Sequence, residues 1–444
     1  MRRALLSALL LLTTLPASAT EPQAQSAWPR LRKARIQRLL PEAMERAKVD
    51  AWVVLCREND NDPLASHVGC ENAGGTAALL FLKQKEGVRS LALSPAGEAK
   101  ALKDVAVHDE VVSFERGTDV HALLATRLSE ARPQRIAVNS SRMLTVADGL
   151  SASQREQLEA ALPPKLRARL TSSEELVFEW LSVKLPEEVE IMREAAKVTA
   201  SLQEEAYRTV VPGKTRDSDV ARFLKKRIAE LGVEDGWQPD QNPNVNSGPD
   251  RGHSHATERV IQPGDFIQTD FGIKVQGMWG TDIQRFAYVL APGETQPPKE
   301  ALEKWEKSKK GNRVAFAALK PGVRGYDVDK AQRDWMREAG SEPVMWGTGH
   351  PVGYWAHDVG PALSGAQLGK PPKGWALRPI RPGQVFAFDG FFAWKLATPG
   401  ETKTLSVEEM AVVTETGAEY LIPPQEELIL IPSPAPTQPA RTGP

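Results

Sequence analysis

Cysteine is scarce in this chain. Two, Cys56 and Cys70, stand among 444 residues, too few to build a cysteine-rich metal centre. In an oxidising compartment they can close one disulfide; Cys56 also ends the apolar run Ala51–Leu55, which suits a buried free thiol equally well. An excess of one charge is missing too: 56 basic residues against 57 acidic ones leave a net charge of −1. That balance excludes the strongly basic face that nucleic acid requires. Past the N-terminus no apolar run approaches the roughly 18 residues that a membrane-spanning helix needs. Histidine is nearly as rare as cysteine, with seven in all, so its placement carries information.

The opening segment MRRALLSALLLLTTLPASA combines Arg2 and Arg3 with an apolar run from Ala4 to Leu12 and an Ala17-Ser18-Ala19 end. That is the pattern of a secretory signal peptide over residues 1–19, and it predicts a periplasmic or secreted protein with no membrane association after cleavage. No cysteine follows the cleavage point, so a lipid anchor is not expected there.

The rest is long enough for two or three domains. Ile36, Leu39, Leu40 and Met44 share one face of a predicted helix over Leu31–Val49. DAWVVLC, TAALLFL, SLALSP and RIAVNSS read as strands, with DVHALLATRLSEA as a helix before the last. Interleaved strands and helices make residues 28–175 an α/β domain. At VKLPEEVE the texture changes: Pro186 suits a first helical position, followed by acids at the positive end of the helix dipole. A second helix carries Val220, Phe223, Leu224, Ile228 and Leu231 and stops at Gly232. Long helices then alternate with hairpin signals to about residue 432. The Pro-rich tail, 433–444, has no core residues and is expected to be disordered.

Acids sit where apolar residues dominate. GDFIQTDFGIKVQGMWGTDIQRFAYVL reads as two strands joined by a Gly-bearing turn near Val275–Gly277, which brings Asp282 back beside Asp270. Two carboxylates side by side on a half-buried sheet repel unless a cation compensates. Asp389 in VFAFDGFF and Glu408 in TLSVEEMAVV lie in otherwise apolar strands, where unpaired charges rarely go. HPVGYWAHDVG adds His350 as a neutral nitrogen donor, with His357 seven residues on. Four carboxylates and one imidazole suit two divalent ions, Mn²⁺, Co²⁺, Fe²⁺ or Zn²⁺, which together acidify a shared water and polarise a carbonyl.

In that order, Asp270, Asp282, His350, Asp389 and Glu408 resemble the five metal ligands of the M24 metallopeptidases, the family of methionine aminopeptidase, Xaa-Pro aminopeptidase, prolidase and the metal-free creatinase. KLPEEVEIMREAAKVTASL, ERVIQPGDFIQTDFG, HDVG and VVTETGAEYL resemble its other blocks. The resemblance implies an α+β "pita-bread" catalytic domain over 183–432 behind a creatinase-like α/β domain over 28–175. It implies that His357 contacts substrate and supports the tetrahedral intermediate, that His253 stands near the leaving group, and that Asp389 is both ligand and proton shuttle. His255 is an extra, read as surface or support. His67, His108 and His121 are read as ordinary surface or satisfied histidines.

The pattern also departs from the family. Asp389-Gly390 replaces the usual Glu-Pro. Asp270 to Asp282 is one residue longer than usual, which predicts a bulge. Gln284 stands where a hydroxyl residue is usual, and Ser406 where an arginine is frequent. Arg378 and Arg381 are the nearby candidates for a substrate carboxylate, although a solvated loop is the plainer reading. The function expected is an exported dinuclear metallopeptidase acting on the N-terminal bond of Xaa-Pro peptides or dipeptides, with a small peptide as its partner and a homodimer compatible with the family. The alternative is a catalytically degraded M24-like module that binds peptide or protein.

Overall fold

The run AWVVLC is apolar at every position, and as the strand Ala51–Cys56 it is buried along its whole length. It pairs antiparallel with Ala77–Lys83 and parallel with Ile136–Val138. Six strands result, in the spatial order Glu110–Phe114, Val88–Pro95, Ala77–Lys83, Ala51–Cys56, Ile136–Val138 and Leu170–Ser172. The computed structural model describes residues 26–70, 75–250, 255–367 and 374–434. The expected signal peptide, His253 and tail residues 435–444 lie outside these.

Alternation of side chains divides this sheet between two cores. Ala51, Val53 and Leu55 pack with Leu124 and Leu128 of the helix Val120–Ala131. Trp52, Val54 and Cys56 face the other way, into a core that also holds Trp180, Met192, Trp279, Ile283 and Tyr354. The first half of the chain is therefore fused to the second through an apolar interior.

The second half carries two four-stranded sheets. One runs Ile429–Ile431, Ile283–Val289, Phe266–Phe271, Asn244–Ser247 and packs on the helices Pro186–Arg208 and Asp217–Leu231. The other runs Gly349–Pro351, Val385–Phe388, Glu409–Val413, Ala418–Tyr420 and packs on Lys299–Ala318 and Gly325–Ala339.

Several expectations need correction. The helix over 31–49 is two helices, Trp28–Arg38 and Leu40–Ala47; Pro41 has no N–H to continue the first one's hydrogen bonds. Of the two readings left open for Cys56 and Cys70, the structure has the disulfide, with their Cα atoms 6.3 Å apart. His67 and His108 are not at the surface: they are 2% and 8% exposed, and His67 packs edge-on against Trp28 and Tyr354. Among the described residues no helix is long and apolar enough to cross a membrane.

Candidate metal centre

The two sheets present their acids from strand ends. Asp270 lies near the end of Phe266–Phe271, and Asp282 immediately precedes Ile283–Val289. Asp389 follows Val385–Phe388 and Glu408 precedes Glu409–Val413, so neither is inside an apolar strand as the sequence suggests. His350 is the middle residue of Gly349–Pro351.

The expected bulge between the two aspartates is absent. Pairing keeps one register from Phe266↔Tyr288 to Phe271↔Ile283 and on to Val275↔Trp279, so neither strand holds an extra residue there. The ladder instead parts at Gly272. Its carbonyl accepts from Gly236 N–H at 3.0 Å and Asn242 Nδ2 at 2.8 Å, and a Cβ there would lie 2.1 Å from the Thr281 carbonyl oxygen. The turn beyond has Gln276 and Gly277 both at positive φ, the geometry of a type I′ turn.

All five residues line one cavity of about 730 Å³, together with His357 and His255. His350 Nε2 is 3.8 Å from Asp282 Oδ2 and 4.0 Å from Glu408 Oε1, and one donor atom from each of these three falls within 4.8 Å of the others. Asp270 and Asp282 influence each other's ionisation, and the Gln284 amide lies between Asp270 and Asp389.

Burial makes each acid resist ionisation. It pushes Asp270 up to about 7, against the hydrogen bond from Asp282. It pushes Asp389 up to about 8, opposed by the Gly390 N–H and reinforced by the charge of Asp270. Asp282 and Glu408 are raised by burial first and then by the neighbouring carboxylates. Burial, then His357, brings His350 down to about 3, which keeps the imidazole neutral and able to donate a lone pair. Glu408 Oε2 is buried without a hydrogen-bond partner among the described residues. Repelling acids, an orphaned carboxylate oxygen and a neutral imidazole fit divalent cations.

The loop HPVGYWAHDVG is held from below. Asp358 accepts the Tyr354 and Val359 N–H groups and meets the buried Lys184 ammonium at 3.0 Å. Tyr354 donates to Glu188 at 2.6 Å. The ring of His357 then stands 4.2 Å from that of His350. Neither candidate arginine lines the cavity: Arg378 pairs with Glu175 and Glu179, and Arg381 with Glu179 and Glu42. These bonds join the two halves of the chain and are not a solvated loop. Sequence reasoning treated Gln284 and Ser406 only as losses, yet they touch each other and the site.

An acid-rich pocket between two sheets, with histidines on its wall, has the donor set of a divalent-cation site. Residues 190–415 match the model of metallopeptidase family M24, and the chain belongs to that family. It is 29% identical over 253 residues to the probable dipeptidase PepE of Mycobacterium tuberculosis, covering 56% of this chain and 61% of that relative, so it spans less than two thirds of the relative's length. Methionine aminopeptidase 1 of Bacillus subtilis is 29% identical over 252 residues, 54% of this chain and 97% of its own. Similar solved structures include the Xaa-Pro dipeptidase from Bacillus anthracis, with TM-score 0.63, 21% identity and coverage of 91% of this chain and 100% of that one. The X-Pro aminopeptidase from Thermotoga maritima gives TM-score 0.64 at 20% identity, over 88% and 100%. The pita-bread fold with an N-terminal domain is thus shared.

Proposed function

We propose that this protein is an exported metallo-exopeptidase that hydrolyses the N-terminal bond of Xaa-Pro peptides or dipeptides with two divalent ions, Mn²⁺, Co²⁺ or Zn²⁺. One observation carries the reading: four carboxylates, three of them buried, and a neutral histidine meet in one cavity of an M24 chain. Relatives named as dipeptidases and structures named as Xaa-Pro peptidases support the substrate class. Asp270, Asp282, His350, Asp389 and Glu408 would hold the ions, which supply Lewis acidity and a water of lowered pKa.

The protein's own groups do the rest. Asp389 takes the proton of the attacking water on its carboxylate and passes it to the leaving amine. His357, on the cavity wall, donates toward the developing oxyanion. The Lys184–Asp358 pair and the Tyr354–Glu188 bond fix the loop that presents His357. Export is supported by the charged, apolar, Ala-Ser-Ala opening and by the disulfide, which suits an oxidising compartment. Mass spectrometry of the mature N-terminus tests it: a chain beginning after Ala19 is expected, and an intact Met1 on cytosolic protein contradicts it.

The activity is tested by hydrolysis of Xaa-Pro dipeptides, longer Xaa-Pro peptides and matched Xaa-Ala controls, with EDTA or added Mn²⁺, Co²⁺ or Zn²⁺. Cleavage of the Xaa-Pro set alone, and only with added ion, is expected. Metal-loaded protein that cleaves none of them overturns the enzyme reading, and binding without turnover favours a peptide-binding module.

A further inference from the structure

Gln284 stands directly opposite Asp270 in the sheet and is 2% exposed. Its carbonyl oxygen accepts from Ser406 Oγ at 2.5 Å and from Gln268 Nε2 at 2.6 Å. Gln268 Nε2 also donates to Ser406 Oγ at 3.1 Å, closing a triangle. The Gln284 NH₂ group points the other way, 3.5 Å from Asp270 Oδ2 and 3.4 Å from Asp389 Oδ2. Turned over, the amide would set its oxygen against two carboxylates and its NH₂ against that of Gln268, so the site chemistry fixes its orientation. A carboxamide has two N–H protons, one for each aspartate; a hydroxyl has one.

Asp389 needs such help because its backbone is anchored. Its N–H donates to the Thr348 carbonyl at 2.9 Å, and its own carbonyl accepts from Gln332 at 3.1 Å. Asn312 holds the preceding carbonyl, of Phe388, at 2.9 Å. The chain cannot slide forward to make up the methylene that a glutamate would supply. Positions 284, 389 and 406, where this sequence departs from its family's pattern, meet in this one cluster.

We propose that Gln284, braced by Ser406 and Gln268, is a positioning residue of the metal centre: its long amide meets the short Asp389 and orders one oxygen each of Asp389 and Asp270. The inference rests on the metal-centre reading and goes beyond it, turning three apparent losses into one rebuilt contact.

The test is Mn²⁺ titration by calorimetry and the visible spectrum of the Co²⁺-loaded protein. The variants are Gln284→Met, Ser406→Ala, Asp389→Glu and the double variant Asp389→Glu/Gln284→Thr. Gln284→Met is expected to weaken Mn²⁺ binding about 10- to 100-fold and to change the Co²⁺ absorption; Ser406→Ala should do both to a lesser degree. Asp389→Glu should weaken binding by driving its carboxylate into the amide, and Gln284→Thr should restore affinity in that background. Should Gln284→Met fail to fold, by circular dichroism of the metal-free protein, Ser406→Ala and the rescue decide the matter. Unchanged affinity and spectrum in the Gln284 and Ser406 variants, or strictly additive effects in the double variant, overturn the proposal while wild type still binds Mn²⁺. A wild type that binds no divalent ion overturns the metal-centre reading with it.

Discussion

Four carboxylates share one cavity, and each is harder to ionise there than in water. A raised carboxylate pKa means that the folded protein keeps protons the unfolded chain has already released, so metal-free stability falls as pH rises. The window opens near pH 4, where unfolded carboxylates ionise, and extends through the folded values of about 7 for Asp270 and about 8 for Asp389. A bound cation removes that penalty. The rise in melting temperature between EDTA and Mn²⁺ should therefore be larger at pH 8 than at pH 5; an equal or reversed difference contradicts the assignment. Glu408 makes the same case, since one of its oxygens is buried without a hydrogen-bond partner among the described residues. Glu408→Gln should stabilise the metal-free protein by about 1–3 kcal/mol, the scale of an uncompensated buried polar group, while abolishing the stabilisation by Mn²⁺. Urea unfolding with and without ion measures both.

Strand ends and turns place these residues, and there the sequence was only partly legible. The Gly-bearing turn near Val275–Gly277 and the return of Asp282 beside Asp270 could be read directly, because glycine and strand alternation are local signals. By sequence, Asp389 and Glu408 fall inside strands because apolar neighbours flank them on both sides; pairing in fact stops at Phe388 and starts at Glu409. The gap in the hairpin ladder depends on the Asn242 side chain, 30 residues away from Gly272, and no periodicity reports such a bond. Gly390 is the sharpest local requirement. Its φ is +88° and a Cβ would lie 2.1 Å from Gln332 Nε2, so both the backbone and the space demand glycine. Gly390→Ala should cost about 2–4 kcal/mol, from left-handed strain together with overpacking. Chemical denaturation showing less than about 1 kcal/mol, within the range of an ordinary surface change, would contradict this.

Across the whole molecule, the two halves are locked by groups far apart in sequence. Arg35 and Glu188 have fully buried side chains and meet at 2.6 Å, and Glu188 also accepts from Tyr354 and Trp279. Glu188→Gln leaves the Arg35 charge buried without its partner, so a loss of about 3–5 kcal/mol is expected; a change below about 1 kcal/mol in urea would show that the pair is not structural. Arg378 and Arg381 illustrate why this level escaped the sequence. Their partners Glu175, Glu179 and Glu42 lie some 200 or more residues earlier, and nothing local distinguishes such arginines from substrate-binding or solvated ones. The five candidate ligands were legible because each is a polar residue in an apolar setting and their order matches a family pattern. The central claim, that these five form one divalent-cation centre, is tested most directly by anomalous diffraction from Mn²⁺-soaked crystals. The account predicts anomalous density inside the cavity, in contact with Asp282, His350 and Glu408. Density elsewhere, or none there with Mn²⁺ in excess, would contradict it.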